Sequence, residues 1–248
     1  MSEDKRSEKT TIFGGIGALA ILAKLKAAGW LLPNVLTMFA SIGVYTMMFG
    51  FRYAVAIVGL IFIHEMGHWV WMKATGLNPQ APMFLPGIGA YTAMSKMPPD
   101  QTSRAWVAFA GPLIGGIGAA VLYWAGLHTA NDWLMAAGNT GFFLNLMQLI
   151  PAKPFDGGFV LGAVWRWFLI PGTILLIIAG VALHSTLLMI ISVISVFGLF
   201  RQFRGAANDG TTPASLPQRM LIGVAYLSLC GMLAYLYAMT QSAVNTMR

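Results

Sequence analysis

The sequence predicts an all-α polytopic membrane protein, with about six transmembrane helices and a re-entrant, β-hairpin-like loop. Three observations carry this. First, 57% of the 248 residues are hydrophobic and 9% are charged, where an ordinary soluble chain carries about 25% charged residues. Second, apolar runs near the ~20 residues that a helical span requires recur along the chain. Third, one apolar stretch is too rich in Pro and Gly for a helix. Three regions follow: a tail and interfacial helix over 1–33, a core over 34–170, and C-terminal helices over 171–248 with a polar linker at 205–217.

The first ten residues mix acids with Lys5, Arg6 and Lys9, and no small-x-small cleavage site closes the apolar stretch after them, so a signal peptide is not expected. Lys24 and Lys26 interrupt residues 12–30, which read as an interfacial helix. Spans are expected at 34–50, 53–75, 105–126, 133–150 and 220–239. Residues 171–200 are apolar throughout, too long for one comfortable helix and short for two, with a break at Leu183-His184-Ser185. Residues 81–94 form the broken apolar loop, with Pro86-Gly87 as its turn. It is either a packing plug or a strand edge offered to an extended peptide. Gly111 and Gly115 in the third span form a small-xxx-small pair, read as close helix packing.

The second span contains His64-Glu65-Met66-Gly67-His68, preceded by ten residues, 54–63, without a polar side chain. Residues four apart share a helix face, so both imidazoles can address one ion. Zinc suits two nitrogens and an oxygen, with a fourth position open to water. Glu65 is rotated about 100° from His64, off the metal yet able to take a proton from that water. Ionisable groups at membrane depth are expensive and mark function.

Besides Glu65, the acids away from the tail are Asp100, Asp132, Asp156 and Asp209. Asp156 follows the fourth span in Pro151-Ala152-Lys153-Pro154-Phe155-Asp156-Gly157-Gly158. The prolines unwind the backbone and the glycines permit sharp re-entry into helix, so its carboxylate can swing toward the second span. An N-cap role for the next helix is the bland alternative. At 1.5 Å per residue, His68 and His64 lie about 10 Å and 16 Å from the end of their span. Antiparallel succession brings Asp156 to that same side. Lys73, Lys96, Arg104 and Lys153 share it, whereas Arg52 and Asp132 lie opposite, so the site is expected to open to the cytoplasm.

With HEMGH on a span, the Pro-x-x-Pro-x-Asp-Gly-Gly segment, the Ala-Gly-Pro span between them and the hairpin-like loop, the chain resembles the site-2 proteases over roughly 34–170. These are intramembrane zinc metalloproteases related to peptidase family M50. The resemblance implies one Zn2+ held by His64, His68 and Asp156, with Glu65 as catalytic base. It also implies hydrolysis of peptide bonds within transmembrane segments of other proteins, as in regulated intramembrane proteolysis. The family usually places Asn eight residues before the ligand Asp, to bind substrate or the developing oxyanion. Here that position is Gln148, with Asn145 one turn earlier, and either amide is a candidate for that role. Phe159 stands where an Arg is frequent, and no PDZ or CBS module is evident.

The implied partners are a transmembrane protein or peptide substrate and the lipid bilayer, in a cytoplasmic membrane of bacterial type. The net charge of +7 fits loops against anionic headgroups and calls for no nucleic acid. Cys230 is the single cysteine, so neither an internal disulfide nor a Cys-type zinc site is expected. A catalytically weak or silent membrane scaffold is the principal alternative, and a metal transporter a more distant one.

Overall fold

The computed structural model describes residues 32–204 and 212–245, and the predicted interfacial helix lies outside them. The chain enters through α1 (Leu32–Phe49) and turns at Gly50, whose φ of 81° is a conformation that side chains disfavour, into α2 (Phe51–Ala74). A hairpin follows, β1 (Met83–Leu85) paired antiparallel with β2 (Gly89–Tyr91), with Phe84 opposite Ala90. Then come α3 (Gln101–His128), α4 (Asp132–Gln148), α5 (Asp156–Val164), α6 (Leu169–Ala182), α7 (Thr186–Phe203) and α8 (Leu216–Asn245). A short 3-10 turn at Arg166–Phe168 leads into α6.

Among the described residues, five helices are long and apolar enough to cross a membrane: α1, α2, α3, α7 and α8. The expected fourth span is α4, which stops at 17 residues and carries Asn139, Asn145 and Gln148. It is enclosed by α3 and α8, so its polar groups find protein partners: Asn139 donates to Thr240 Oγ1 at 2.7 Å and to the Tyr237 carbonyl at 3.1 Å. The ambiguous stretch at 171–200 resolves into α6 and α7. They reverse at His184, whose φ is 49°, and Ser185 caps α7 by accepting from the Leu188 amide. Two loop acids, Asp100 and Asp132, serve helix starts, and Asp209 with most of the predicted linker lies outside the described residues. Asp100 accepts the Ser103 amide at 2.6 Å as N-cap of α3, and Asp132 opens α4 behind the Asn131 cap.

The core lies where α3, α4, α5 and α8 meet around Ala119, Phe142, Val160 and Leu233, with Leu60 contributed by α2. Tyr53 on α2 reaches α4 through Thr140 Oγ1 at 2.7 Å. By contrast α7 buries little beyond Ser192 and Ser195, and presents Ile190, Val193 and Phe197 outward, as a lipid-facing helix does. The hairpin sits between α1 and α2. The Phe84 amide points to Thr37 Oγ1 at 3.4 Å, and the turn at Gly87 approaches Val44. The broken loop at 81–94 is therefore a hairpin, as its Pro-Gly turn implied.

Candidate active site

The polar residues of this stretch of α2 lie on the side that meets α3, together with apolar contacts such as Trp71 to Trp106 and Met72 to Val107. His64, Glu65 and His68 are all buried in the bundle. Helical spacing stacks the two imidazoles, and their Nε2 atoms lie 3.1 Å apart. Two close approaches make room for them. A Cβ on Gly67 would strike the carbonyl of Ala110, and one on Gly111 would strike both imidazoles. The Ala110-Gly111-Pro112 segment, read from sequence as helix packing alone, is thus also a wall of the site.

Asp156 reaches the same point from α5. Its Oδ2 lies 3.1 Å from His64 Nε2 and 3.4 Å from His68 Nε2. The loop before it is clamped. Tyr226 on α8 donates its hydroxyl to the Leu149 carbonyl, and Gly157 and Gly158 press against the backbone of Leu149 and Ala152 so closely that no side chain fits. Asp156 is the first residue of α5, behind Phe155, so it does not occupy the N-cap position itself.

The donor set fits a divalent ion. His68 Nδ1 lies 2.8 Å from the Val107 carbonyl, an obligate acceptor, so that nitrogen carries a proton. Asn145 Nδ2 donates to the Gly141 carbonyl at 2.8 Å, which fixes the amide and turns its Oδ1 toward His64 Nδ1 at 2.9 Å. His64 Nδ1 is therefore a donor too. In neutral imidazoles both Nε2 lone pairs then face Asp156 Oδ2, a buried oxygen without a hydrogen-bond partner among the described residues. Two converging lone pairs and an orphaned carboxylate oxygen describe a site able to hold a metal ion.

These groups open on a cavity of about 650 Å³. Glu65 lines it, with its Oε2 accepting a 2.7 Å hydrogen bond from Thr92 Oγ1 just after β2. Ala90 and Tyr91 of β2 form part of the wall, and Arg104, Lys153 and Arg201 stand toward the ends of α3, α5 and α7. The two candidate amides separate. Gln148 lines the cavity, whereas Asn145 is buried behind His64 and bonded at both ends. His128 ends α3 and His184 sits in the α6–α7 turn, away from the cavity. Thr92 and Val107 had no signal of their own in the sequence, and Gly111 was legible only as half of a small-xxx-small packing pair with Gly115. Gly115 admits Asn145 as Gly111 admits the imidazoles.

Residues 52–131 match the model of peptidase family M50. A curated chloroplast protein of Arabidopsis thaliana, Probable zinc metalloprotease EGY1, is 26% identical over 118 residues, 46% of this chain and 20% of that protein. The chain thus spans about a fifth of the length of that relative. A site-2 protease from Methanocaldococcus jannaschii superposes with a TM-score of 0.44 at 21% identity, covering 69% of this chain and 88% of that one. Over residues 52–131 the chain is thus similar to peptidase family M50.

Proposed function

We propose that this protein is an intramembrane zinc metalloprotease that hydrolyses peptide bonds in transmembrane segments of other proteins. The observation that carries the reading is the convergence of His64 Nε2, His68 Nε2 and Asp156 Oδ2 beside Glu65, within a cavity walled by apolar helices. The chemistry supplied by a zinc ion held there is Lewis acidity, which makes water a nucleophile near neutral pH and polarises a carbonyl. Glu65 takes the proton from the attacking water and returns it to the leaving amine nitrogen, so the C–N bond breaks without a free amide anion. Gln148, on the cavity wall, is the side-chain amide available to a developing oxyanion. Asn145 instead holds the His64 ring in the tautomer that leaves Nε2 free.

A helical substrate hides its carbonyls in its own hydrogen bonds, so it must be unwound to react. The strand β2 borders the cavity and supplies an edge against which an extended segment can lie. Water enters from the cytoplasm on this reading. Lys73, Arg104, Arg201 and Arg219 lie in terminal turns of α2, α3, α7 and α8, with Lys96, Lys153, Arg166 and Arg204 in the connections beside helix ends, and Arg52 stands at the opposite end of α2. That asymmetry has the sign expected of a cytoplasmic face.

The test is a membrane-embedded substrate incubated with the wild-type protein and with Glu65→Gln in the same vesicles. Cleavage by the wild type alone supports the assignment, and cleavage that survives the substitution removes Glu65 as base. Metal flux without proteolysis would instead point to transport.

A further inference from the structure

Thr92 is a polar side chain on the cavity that the mechanism above leaves unused. Several threonines on or at the ends of helices bond their own helix: Thr46 donates to the Ile42 carbonyl, Thr75 to Trp71, Thr129 to Ala125 and Thr240 to Leu236, while Thr173 pairs with Ser195 between α6 and α7. Thr92 instead crosses to another element and donates to Glu65 Oε2 at 2.7 Å. The hairpin is built to aim it. Met83 pairs with Tyr91, and further from the turn Pro79 pairs with Met94. Three residues, 80–82, therefore face two, 92 and 93. One of the three is Pro82, which has no N–H to offer. Such a mismatch interrupts the ladder and redirects a side chain.

Glu65 is 4% exposed, so its carboxylate has little water to solvate it. A hydroxyl donating to an ionised oxygen makes a short, charge-assisted bond that fixes the carboxyl rotamer. We infer that Thr92 is a positioning residue for Glu65, tying the orientation of the base to the seating of the β1–β2 hairpin. A shift of the hairpin withdraws the hydroxyl and frees the carboxylate to rotate, and misplacement of order 1 Å can cost about 100-fold in rate. The inference rests on the protease reading for its catalytic consequence, but the tether itself does not.

Two measurements on the full chain in vesicles decide it. A nitroxide is placed on the hairpin turn at Ile88→Cys, 67% exposed in the parent, with Cys230→Ala removing the native thiol. Thr92→Val and Glu65→Ala each raise label mobility, and the two together raise it no further, because both cut one bond. Thr92→Ser and Glu65→Gln, which keep a donor and an acceptor, leave mobility unchanged. In cleavage assays Thr92→Val lowers kcat about tenfold or more with KM little changed, and Thr92→Ser restores it. Zinc content stays at the parent level. Additive or absent mobility changes overturn the tether, and an unchanged kcat in Thr92→Val overturns the positioning role. If the parent cleaves no substrate, the protease assignment and the catalytic role fall together, while the mobility cycle still decides the tether.

Discussion

Helices α2 and α7 are both apolar enough to cross a membrane, with mean hydropathies of 1.4 and 1.8, yet 44% of the α2 window is buried against 11% of the α7 window. The less hydrophobic helix is the better buried. In lipid, Leu gains little by leaving the bilayer for the protein, so apolarity alone does not draw a helix inward. Polar and small residues do, because they need partners or permit close backbone contact. His64, Glu65, Gly67 and His68 draw α2 against α3, while α7 has a serine pair on its inner side and an apolar face outside.

Substitutions along the two helices should therefore separate sharply. The largest effect is expected of Glu65→Gln, with loss of 10²–10⁴-fold in cleavage rate and zinc retained, read by substrate assay and metal analysis. Replacing His64 and His68 together by Ala should abolish zinc binding. Zinc at wild-type stoichiometry in that variant would falsify the donor set. Gly111→Ala comes next, because its methyl group would occupy the space of the two imidazoles; metal content should fall although the helix former is improved. Asn145→Ala, which removes the acceptor for His64 Nδ1, should weaken zinc affinity about 10–100-fold, measured by competition with a chelator. The smallest effect belongs to α7. Val193→Ala, on the outward face, should leave both zinc content and cleavage within about twofold, as surface changes usually do. A large loss there would show that α7 is held against the site and would break the contrast with α2.

Much of the candidate site was legible because it is local in sequence. HEMGH needs only a helix to bring two imidazoles onto one face. Asp156 could be singled out because few acids lie outside the tail and two prolines and two glycines surround it. The hairpin was legible as a loop because Pro and Gly break a helix wherever they stand. The number of spans was not. Apolar length is a statement about lipid, and α4 borrows its polar satisfaction from α8 through Asn139 and Thr240.

By itself the sequence determined what lies within a helical turn or a tight loop: the paired histidines, the adjacent glutamate, the re-entry at Asp156 and the excess of cations at one set of helix ends. The tertiary structure alone decided which groups complete them. It put Asn145 behind His64 and Gln148 on the cavity wall, although both are amides on the last turns of α4. It also turned Gly111 into the floor beneath the imidazoles and brought Thr92 to Glu65 across 27 residues. The physical reason is that hydrogen bonds and close contacts between elements depend on register and approach distance. A change of one residue in either reverses which side chain faces which, while composition and spacing remain the same.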